Sequence, residues 1–360
     1  MKYDYLIVGA GFFGSVCARE LTDKGYKCLV IEKRNHIAGN CYTEDQNGIT
    51  VHKYGAHIFH TSNEKIWDYV NRFSKFRNIV HKVKVNYKGE IYPFPITKLV
   101  FQKLYGDLVD LDKIKIPIDA PKNLEEWCLS MVGKDIYEIY FKGYTQKQWG
   151  SFPVDLPISI IKRIPIRYNS TDDSYYNDKY QGIPISGYTG LIQKMLAGIE
   201  VRVNIDYFSD KNGFNSMANN IIYGGSIDQF FNYLLGRLEY RSLQFKEEVL
   251  NTCDFQGNSV VNYTDETIPY TRIVEHKHFL NQQMDIPMTI ITKEYPTFGG
   301  DPMYPIEVDK NLNLYKKYEE MGQSTNVIFG GRLGSYKYYD MHHVVANALK
   351  LCDGIKVSKN

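Results

Sequence analysis

Three glycines, Gly9, Gly11 and Gly14, follow directly on the apolar run Leu6-Ile7-Val8, and an acid, Glu32, stands 18 positions after the last of them. A G-x-G-x-x-G turn between a strand and a helix cradles the diphosphate of a dinucleotide. The first glycine makes the tight turn, the second lets the backbone approach the phosphates, and the third lets helix and strand pack closely. The following helix offers its free N–H groups and the positive end of its dipole to the anion. Glu32 ends the next apolar run, Cys28-Leu29-Val30-Ile31, close to the roughly 20 positions expected of the acid that binds ribose hydroxyls.

A second chemistry recurs further along. Cations cluster in Ile161-Lys162-Arg163-Ile164-Pro165-Ile166-Arg167, and they sit beside aromatic rings in Lys142-Gly143-Tyr144-Thr145-Gln146-Lys147-Gln148-Trp149-Gly150 and Glu239-Tyr240-Arg241-Ser242. They do so again in Pro269-Tyr270-Thr271-Arg272, with related tyrosine segments at Met303-Tyr304-Pro305 and Tyr336-Lys337-Tyr338-Tyr339-Asp340. An aromatic plane stacks a nucleotide base, and arginine pairs bidentately with phosphate oxygens. Together these segments suit a nucleotide sugar; singly, each also suits an Arg–Tyr pair at a surface turn.

The composition narrows the field. The 360 residues carry a formal charge of only +2, which gives no support for nucleic acid or an anionic membrane as the main partner. No apolar run reaches the roughly 18–20 residues needed to cross a bilayer. The opening run 1–8 reads as a strand, not a signal peptide. The six cysteines show no C-x-x-C and no Cys/His grouping at zinc spacing, so no metal is expected, and the thiols suit a reducing cytoplasm. The 30 tyrosines fit a wet concave site that stacks planar groups. No Ser/His/Asp triad or pair of glycosidase carboxylates can be assembled from the spacing.

The elements that must position these residues are legible in part. A helix is expected over 15–24, closed by Gly25, and a second strand over 27–31. The alternating 82–87 and 90–92 around Lys88-Gly89 predict a hairpin. Helical spacing runs from about 98 to 147, with Asn123-Leu124-Glu125-Glu126 as a capped start, before Pro153, Pro157 and Pro165 break the pattern. A helix over 190–198 and a strand over 200–203 follow. Ile221-Ile222-Tyr223 before Gly224-Gly225 reads as a further glycine-ended strand of the dinucleotide unit. Residues 259–263 and 288–292 read as strands.

Lys33-Arg34-Asn35-His36-Ile37-Ala38-Gly39-Asn40 resembles the extended FAD fingerprint of the glutathione-reductase-like and amine-oxidase-like flavoproteins, with Ala38 where glycine is commoner. Those proteins close their FAD domain with a late strand, a glycine pair and a helix. Here Val327-Ile328-Phe329-Gly330-Gly331-Arg332 and the stretch 342–351 match that plan, which favours FAD over NAD. An FAD-dependent oxidase of the amine-oxidase-like class is the alternative this fingerprint leaves open.

Over nearly its whole length the chain resembles the bacterial UDP-galactopyranose mutases. The likeness is carried by residues 30–37, Tyr54-Gly55-Ala56-His57-Ile58-Phe59-His60-Thr61, residues 143–150, Lys162-Arg163-Ile164-Pro165 and Tyr180-Gln181-Gly182-Ile183-Pro184. It continues through residues 269–277 and Phe329-Gly330-Gly331-Arg332-Leu333. The resemblance implies a mixed α/β (α+β) fold in three parts. A discontinuous Rossmann-like FAD-binding domain would use residues 1–77, 187–225 and 322–360. A helical domain would span 97–166 with a mobile loop at its end, and an antiparallel sheet domain would use 78–96, 167–186 and 226–321. It further implies a cytoplasmic homodimer that interconverts UDP-galactopyranose and UDP-galactofuranose, for surface polysaccharide, through an adduct of the anomeric carbon with N5 of reduced FAD.

By the same resemblance Arg163, Arg241 and His60 are the expected catalytic residues, the arginines on the diphosphate and His60 beside the isoalloxazine. Tyr144, Trp149, Tyr175, Asn262, Arg272, Tyr304 and Tyr338 are expected to bind substrate, with Tyr175 stacking on uracil. Gly9, Gly11, Phe12, Phe13, Gly14, Glu32, Lys33, Gly39, Asn40, His57, Arg332, Asp340 and Met341 are expected around the cofactor. His60 stands where relatives with broader substrate use carry arginine, which favours galactose without an N-acetyl group.

Overall fold

Five parallel strands carry the glycine turn, in the order Glu200–Arg202, Cys28–Ile31, Tyr3–Val8, Ala218–Tyr223 and Val327–Phe329. The computed structural model describes residues 3–107, 110–162, 164–280 and 283–356. The sheet is buried on both faces, which is why its strands read as unbroken apolar runs. Ile7, Val30 and Ile222 face the helices Phe12–Asp23 and Met341–Asp353, whose Val16, Cys17, Val345 and Ala348 are fully buried. Leu6, Leu29 and Ile221 face Tyr207, Phe214 and Phe230. The dinucleotide unit thus draws strands from three distant parts of the chain. The first helix begins at Phe12, three residues before the expected start, because Gly11 already serves as its N-cap.

The expected hairpin is present as Val83–Tyr87 and Glu90–Phe94, with Lys88 and Gly89 both at positive φ. It forms one edge of a seven-stranded sheet that continues through Val260–Tyr263, Arg272–Glu275, Thr289–Thr297, Tyr240–Leu250 and Tyr304–Pro305. This sheet is mixed, not antiparallel throughout. Val260–Tyr263 runs parallel to Val83–Tyr87, since the hairpin lies far away in sequence and no tight turn fixes its direction. Nor does Tyr180–Pro184 join it. That strand sits between Phe59–Thr61 and Phe76–Asn78 in a separate three-stranded sheet, where Gln181 lies opposite His60.

Between strands of these sheets in sequence come the helices Lys98–Tyr105, Leu124–Ile136 and Gly143–Trp149. Asn123 caps the second of them by accepting the Glu126 N–H at 2.9 Å. The third is pinned by Lys147, whose Nζ donates to the carbonyls of Tyr263, Asp265, Ile268 and Tyr270 at 2.7–3.0 Å. Burial lowers the Lys147 ammonium to about 8. Gly143 is required at this contact, because a Cβ there would lie 2.3 Å from the Thr264 carbonyl oxygen.

Ala38, buried at 1% exposure, has φ +74°, the left-handed region that costs an L-residue about 1–2 kcal/mol. This explains why glycine is commoner there. Since glycine also loses more backbone freedom on folding, Ala38→Gly is expected to be neutral or stabilising by up to about 1 kcal/mol, and Ala38→Val destabilising by more than that. Urea midpoints of the two variants check this; a stability loss in the glycine variant would contradict it.

Candidate active site

The glycine turn is built for close backbone approach. A Cβ at Gly14 would lie 1.9 Å from the Gly9 carbonyl oxygen, and one at Gly39 would lie 3.1 Å from the Gly11 Cα. Ala38 N–H donates to the Ala10 carbonyl at 2.8 Å, locking the two turns together. The helix from Phe12 has no side-chain cap, so its first-turn N–H groups are available to a diphosphate. Glu32, 6% exposed, accepts from Ala10 N–H at 2.9 Å and Arg34 N–H at 3.0 Å. Gly9, Gly11, Phe12, Phe13, Glu32, Lys33, Gly39 and Asn40 line one groove of about 320 Å³. Gly14 sits behind it as a packing residue. Phe13 is wedged against the late glycine pair: a Cβ on Gly330 would meet its ring at 2.1 Å.

Asp301 and residues 205–208 line the groove without any sequence signal. Arg34 and Lys33 both pair with Asp301, at 3.0 and 2.8 Å, and Asp301 also lines the groove. Residues 205–208 close over the Glu32 end, with Ile205 N–H donating to the Glu32 carbonyl at 2.9 Å. Only tertiary folding brings these segments beside the glycine turn.

His57, Arg332 and Met341 line this groove and also a second cleft of about 400 Å³, so the two cavities adjoin at these side chains and together outline a channel. The second cleft is walled by Tyr144, Trp149, Tyr175, Asn262, Arg272, Tyr304, Tyr338, His60 and Asp340. Tyr304 and Tyr338 stack at 5.3 Å with the Arg332 guanidinium 5.3 and 5.6 Å from their centroids. Arg332 is aimed by Tyr339, whose carbonyl accepts from Nε at 3.0 Å and Nη2 at 2.6 Å. Arg272 pairs with Glu294, 1% exposed, at 2.9 Å. Burial opposes charge on both partners, and Glu294 keeps the guanidinium cationic. Buried oxygens of Asn262 and Gln148, both on the cleft wall, have no hydrogen-bond partner among the described residues. Such acceptors suit a polar ligand.

Tyr175 and Tyr176 differ in what covers them. Tyr176 is stacked between His60 at 3.7 Å and His81 at 5.7 Å, whereas Tyr175 meets its protein neighbours edge-on or tilted. Arg167, from a basic segment that read as ligand-binding, instead holds this turn. It donates to the carbonyls of Asp172 and Ser174 and to the Asn177 side chain. Arg241 is also placed differently from expectation. It is 2% exposed, stands behind the cleft wall, donates to the carbonyls of Gln148 and Lys147 at 2.6 and 3.0 Å, and lies 3.9 Å from the Phe298 ring. Its side chain holds the end of the helix that carries Trp149. Arg163 lies outside the described residues.

A chain of buried histidines lies behind the cleft and reaches its wall at His57. His276 Nδ1 accepts from His52 N–H, and His52 Nδ1 accepts from His57 N–H, each at 3.2 Å. A ring nitrogen that accepts carries no proton, so both rings are neutral. His57 Nδ1 bonds the Gly55 carbonyl at 2.7 Å and must donate, which leaves its Nε2 as an acceptor. Burial lowers His57 to about 4 and His81 and His276 to about 3, and it lowers His52 as well.

A dinucleotide groove opening into an aromatic, arginine-bearing cleft defines an enzyme of flavoprotein architecture. The family model for UDP-galactopyranose mutase matches residues 139–338, and that for an NAD(P)-binding Rossmann-like domain matches residues 7–73. The protein named "Probable UDP-galactopyranose mutase" from Klebsiella pneumoniae is 39% identical over 97% of this chain and 93% of its own. A dTDP-fucopyranose mutase of Escherichia coli is 35% identical over 99% of this chain and 98% of its own. A crystal structure of reduced UDP-galactopyranose mutase superposes with a TM-score of 0.78 over 98% of this chain and 95% of that one, at 16% identity, a likeness of fold. Amine oxidase A of Sus scrofa, 31% identical, matches only 43% of this chain and 32% of its own, so the oxidase alternative has only partial support. The chain belongs to the UDP-galactopyranose mutase family, an isomerase family whose members use a flavin.

The neutral histidines predict a defined acid sensitivity. In the unfolded chain each takes up a proton near pH 6.5, while in the fold it stays neutral to about pH 4 or below. Their stabilisation is therefore complete above about pH 6.5 and is lost as the pH falls toward 4, at about 1.4 kcal/mol per pH unit for each histidine. Urea unfolding between pH 7.5 and 5 is expected to show this fall; a flat stability across that range would contradict it.

Proposed function

We propose that this chain interconverts UDP-galactopyranose and UDP-galactofuranose while holding reduced FAD, without net oxidation. The observation that carries this reading is the junction at His57, Arg332 and Met341, where the dinucleotide groove becomes the aromatic cleft. A cofactor laid along the groove would bring its far end against the sugar of a nucleotide seated in the cleft. FAD is favoured over NAD by the late strand Val327–Phe329, the glycine pair packed on Phe13, and the closing helix Met341–Asp353. Held along the groove by the glycine turn and beside His57 and Arg332, a reduced flavin would supply an electron-rich nitrogen as nucleophile toward an anomeric carbon.

The side chains then have binding and positioning work to do. Tyr175, the less covered of the two adjacent tyrosines, is the proposed platform for the uracil. Arg272, fixed by Glu294, faces the diphosphate with the fork geometry that pairs with phosphate oxygens. Tyr304 and Tyr338 border the sugar end, and Asn262 and Gln148 offer unsatisfied oxygens to donors on the ligand. Arg163 is proposed as a second diphosphate cation. A cytoplasmic setting suits the six cysteines, whose thiols are free.

Purified protein reduced with dithionite is expected to convert UDP-galactofuranose to UDP-galactopyranose on chromatography, and the oxidised form to be inactive. A parallel arm with dTDP-fucofuranose tests the chemistry in the Escherichia coli relative's name. Steady oxygen consumption, or equal conversion by both redox forms, would contradict the proposal. Arg272→Lys keeps a cation beside Glu294 but loses the bidentate fork. It is expected to lower kcat/KM at least about tenfold, the worth of one charged hydrogen bond of roughly 1.5–3 kcal/mol. Unchanged kinetics would remove Arg272 from the diphosphate site.

A further inference from the structure

His60 lies on the strand Phe59–Thr61, and its neighbour across the three-stranded sheet is Gln181. The turn just before that neighbouring strand carries Asp178, whose Oδ2 lies 2.6 Å from His60 Nδ1. The other oxygen, Oδ1, accepts from Ser62 Oγ at 2.8 Å, and Ser62 Oγ in turn accepts the Lys179 N–H at 3.2 Å. Asp178 is therefore itself fixed at both oxygens. Burial pushes its carboxyl up, but the bonds from His60 and Ser62 outweigh burial and hold it below the usual carboxylate range. An ionised carboxylate only accepts, so His60 must donate through Nδ1.

The ring is also held by its faces. Tyr176 stacks on it at 3.7 Å and 11°, and His342 meets it edge-on at 4.9 Å. Asp340 and His342 each place a donor or acceptor atom within 4.8 Å of one on His60. His60 is 7% exposed, lines the cleft, and has no further hydrogen-bond partner among the described residues. Its Nε2 is the ring atom left for the cleft.

We propose that Asp178 is a positioning residue for the reaction: it fixes His60 with a proton on Nδ1, so that the neutral ring presents Nε2 to the cleft as an acceptor for a hydroxyl of the sugar. Neither Asp178 nor a partner for His60 was evident in the sequence. The identity of the hydroxyl rests on the mutase reading; the hold of Asp178 on the histidine does not. Asn in place of Asp keeps the size but can turn its NH₂ toward Nδ1, which would move the proton to Nε2 and replace an acceptor by a donor.

The tautomer can be read directly from long-range ¹H–¹⁵N spectra of histidine-labelled, flavin-bound protein without substrate, with His60→Gln giving the assignment. Wild type is expected to show protonated Nδ1 and bare Nε2 at His60, and Asp178→Asn the reverse. With the sugar nucleotide, Asp178→Asn is expected to lower kcat by roughly ten- to a hundredfold, the scale of a misplaced proton-transfer or hydrogen-bonding group, with KM changed by less than about threefold. Ser62→Ala, which loosens Asp178 without touching His60, is expected to give a smaller fall in the same parameter. An unchanged tautomer in Asp178→Asn, or a reversed tautomer with unchanged kcat, would overturn the proposal. A wild-type protein that shows the Nδ1–H tautomer but no conversion of either sugar nucleotide would refute the mutase reading and still support the hold of Asp178 on His60.

Discussion

Two backbone turns pack directly against each other through glycines, and the rest of the site is arranged around that contact. Gly9 and Gly14 make one turn, and Ala38 and Gly39 cross it at Gly11. The approach leaves peptide N–H groups, not side chains, facing the groove at the start of a twelve-residue helix. Such a cradle is only as rigid as the sheet beneath it. That sheet takes strands from residues 3–31, 200–223 and 327–329, so the cradle depends on long-range packing as much as on its own glycines. Phe13 shows the coupling, since it lines the groove while its ring fills the space over Gly330.

The same economy governs the second half of the channel. Cations there are held by the protein itself: Arg272 by Glu294 and Arg332 by the Tyr339 carbonyl, while Arg241, behind the wall, holds the carbonyls of Lys147 and Gln148. Preorganised charge avoids the reorganisation that water would impose. The histidines behave oppositely. His52 and His276 are locked neutral by the backbone N–H bonds they accept, and burial keeps His57 neutral, so His57 adds hydrogen-bonding direction to the wall without adding charge. His60 differs again, because a carboxylate sets its tautomer.

The parts of this arrangement legible in the sequence are the local ones. The spacing of Gly9, Gly11 and Gly14 and the apolar runs at 6–8, 28–31 and 221–223 mark a parallel dinucleotide unit, because a doubly buried strand must be apolar on both sides. Asn123 and the Lys88-Gly89 turn were equally readable, since caps and tight turns are set within four residues. Arg241 and Arg167 could not be told in the sequence from phosphate-binding arginines, for one reason. Arginine beside tyrosine looks the same whether its fork meets a phosphate or a backbone carbonyl, and only burial separates the two. Asp178, Asp301 and residues 205–208 carry no local pattern at all. They reach the site because distant strands are paired.

The central claim is that the glycine-turn groove and the aromatic cleft are one channel, meeting at His57, Arg332 and Met341. A crystal structure of the protein with FAD and UDP bound tests it most directly. The account predicts the diphosphate of FAD at the Gly9–Gly14 turn, the isoalloxazine against His57 and Arg332, and UDP in the adjoining cleft with its base on Tyr175. An isoalloxazine outside the junction, or UDP bound away from the aromatic cleft, would contradict it.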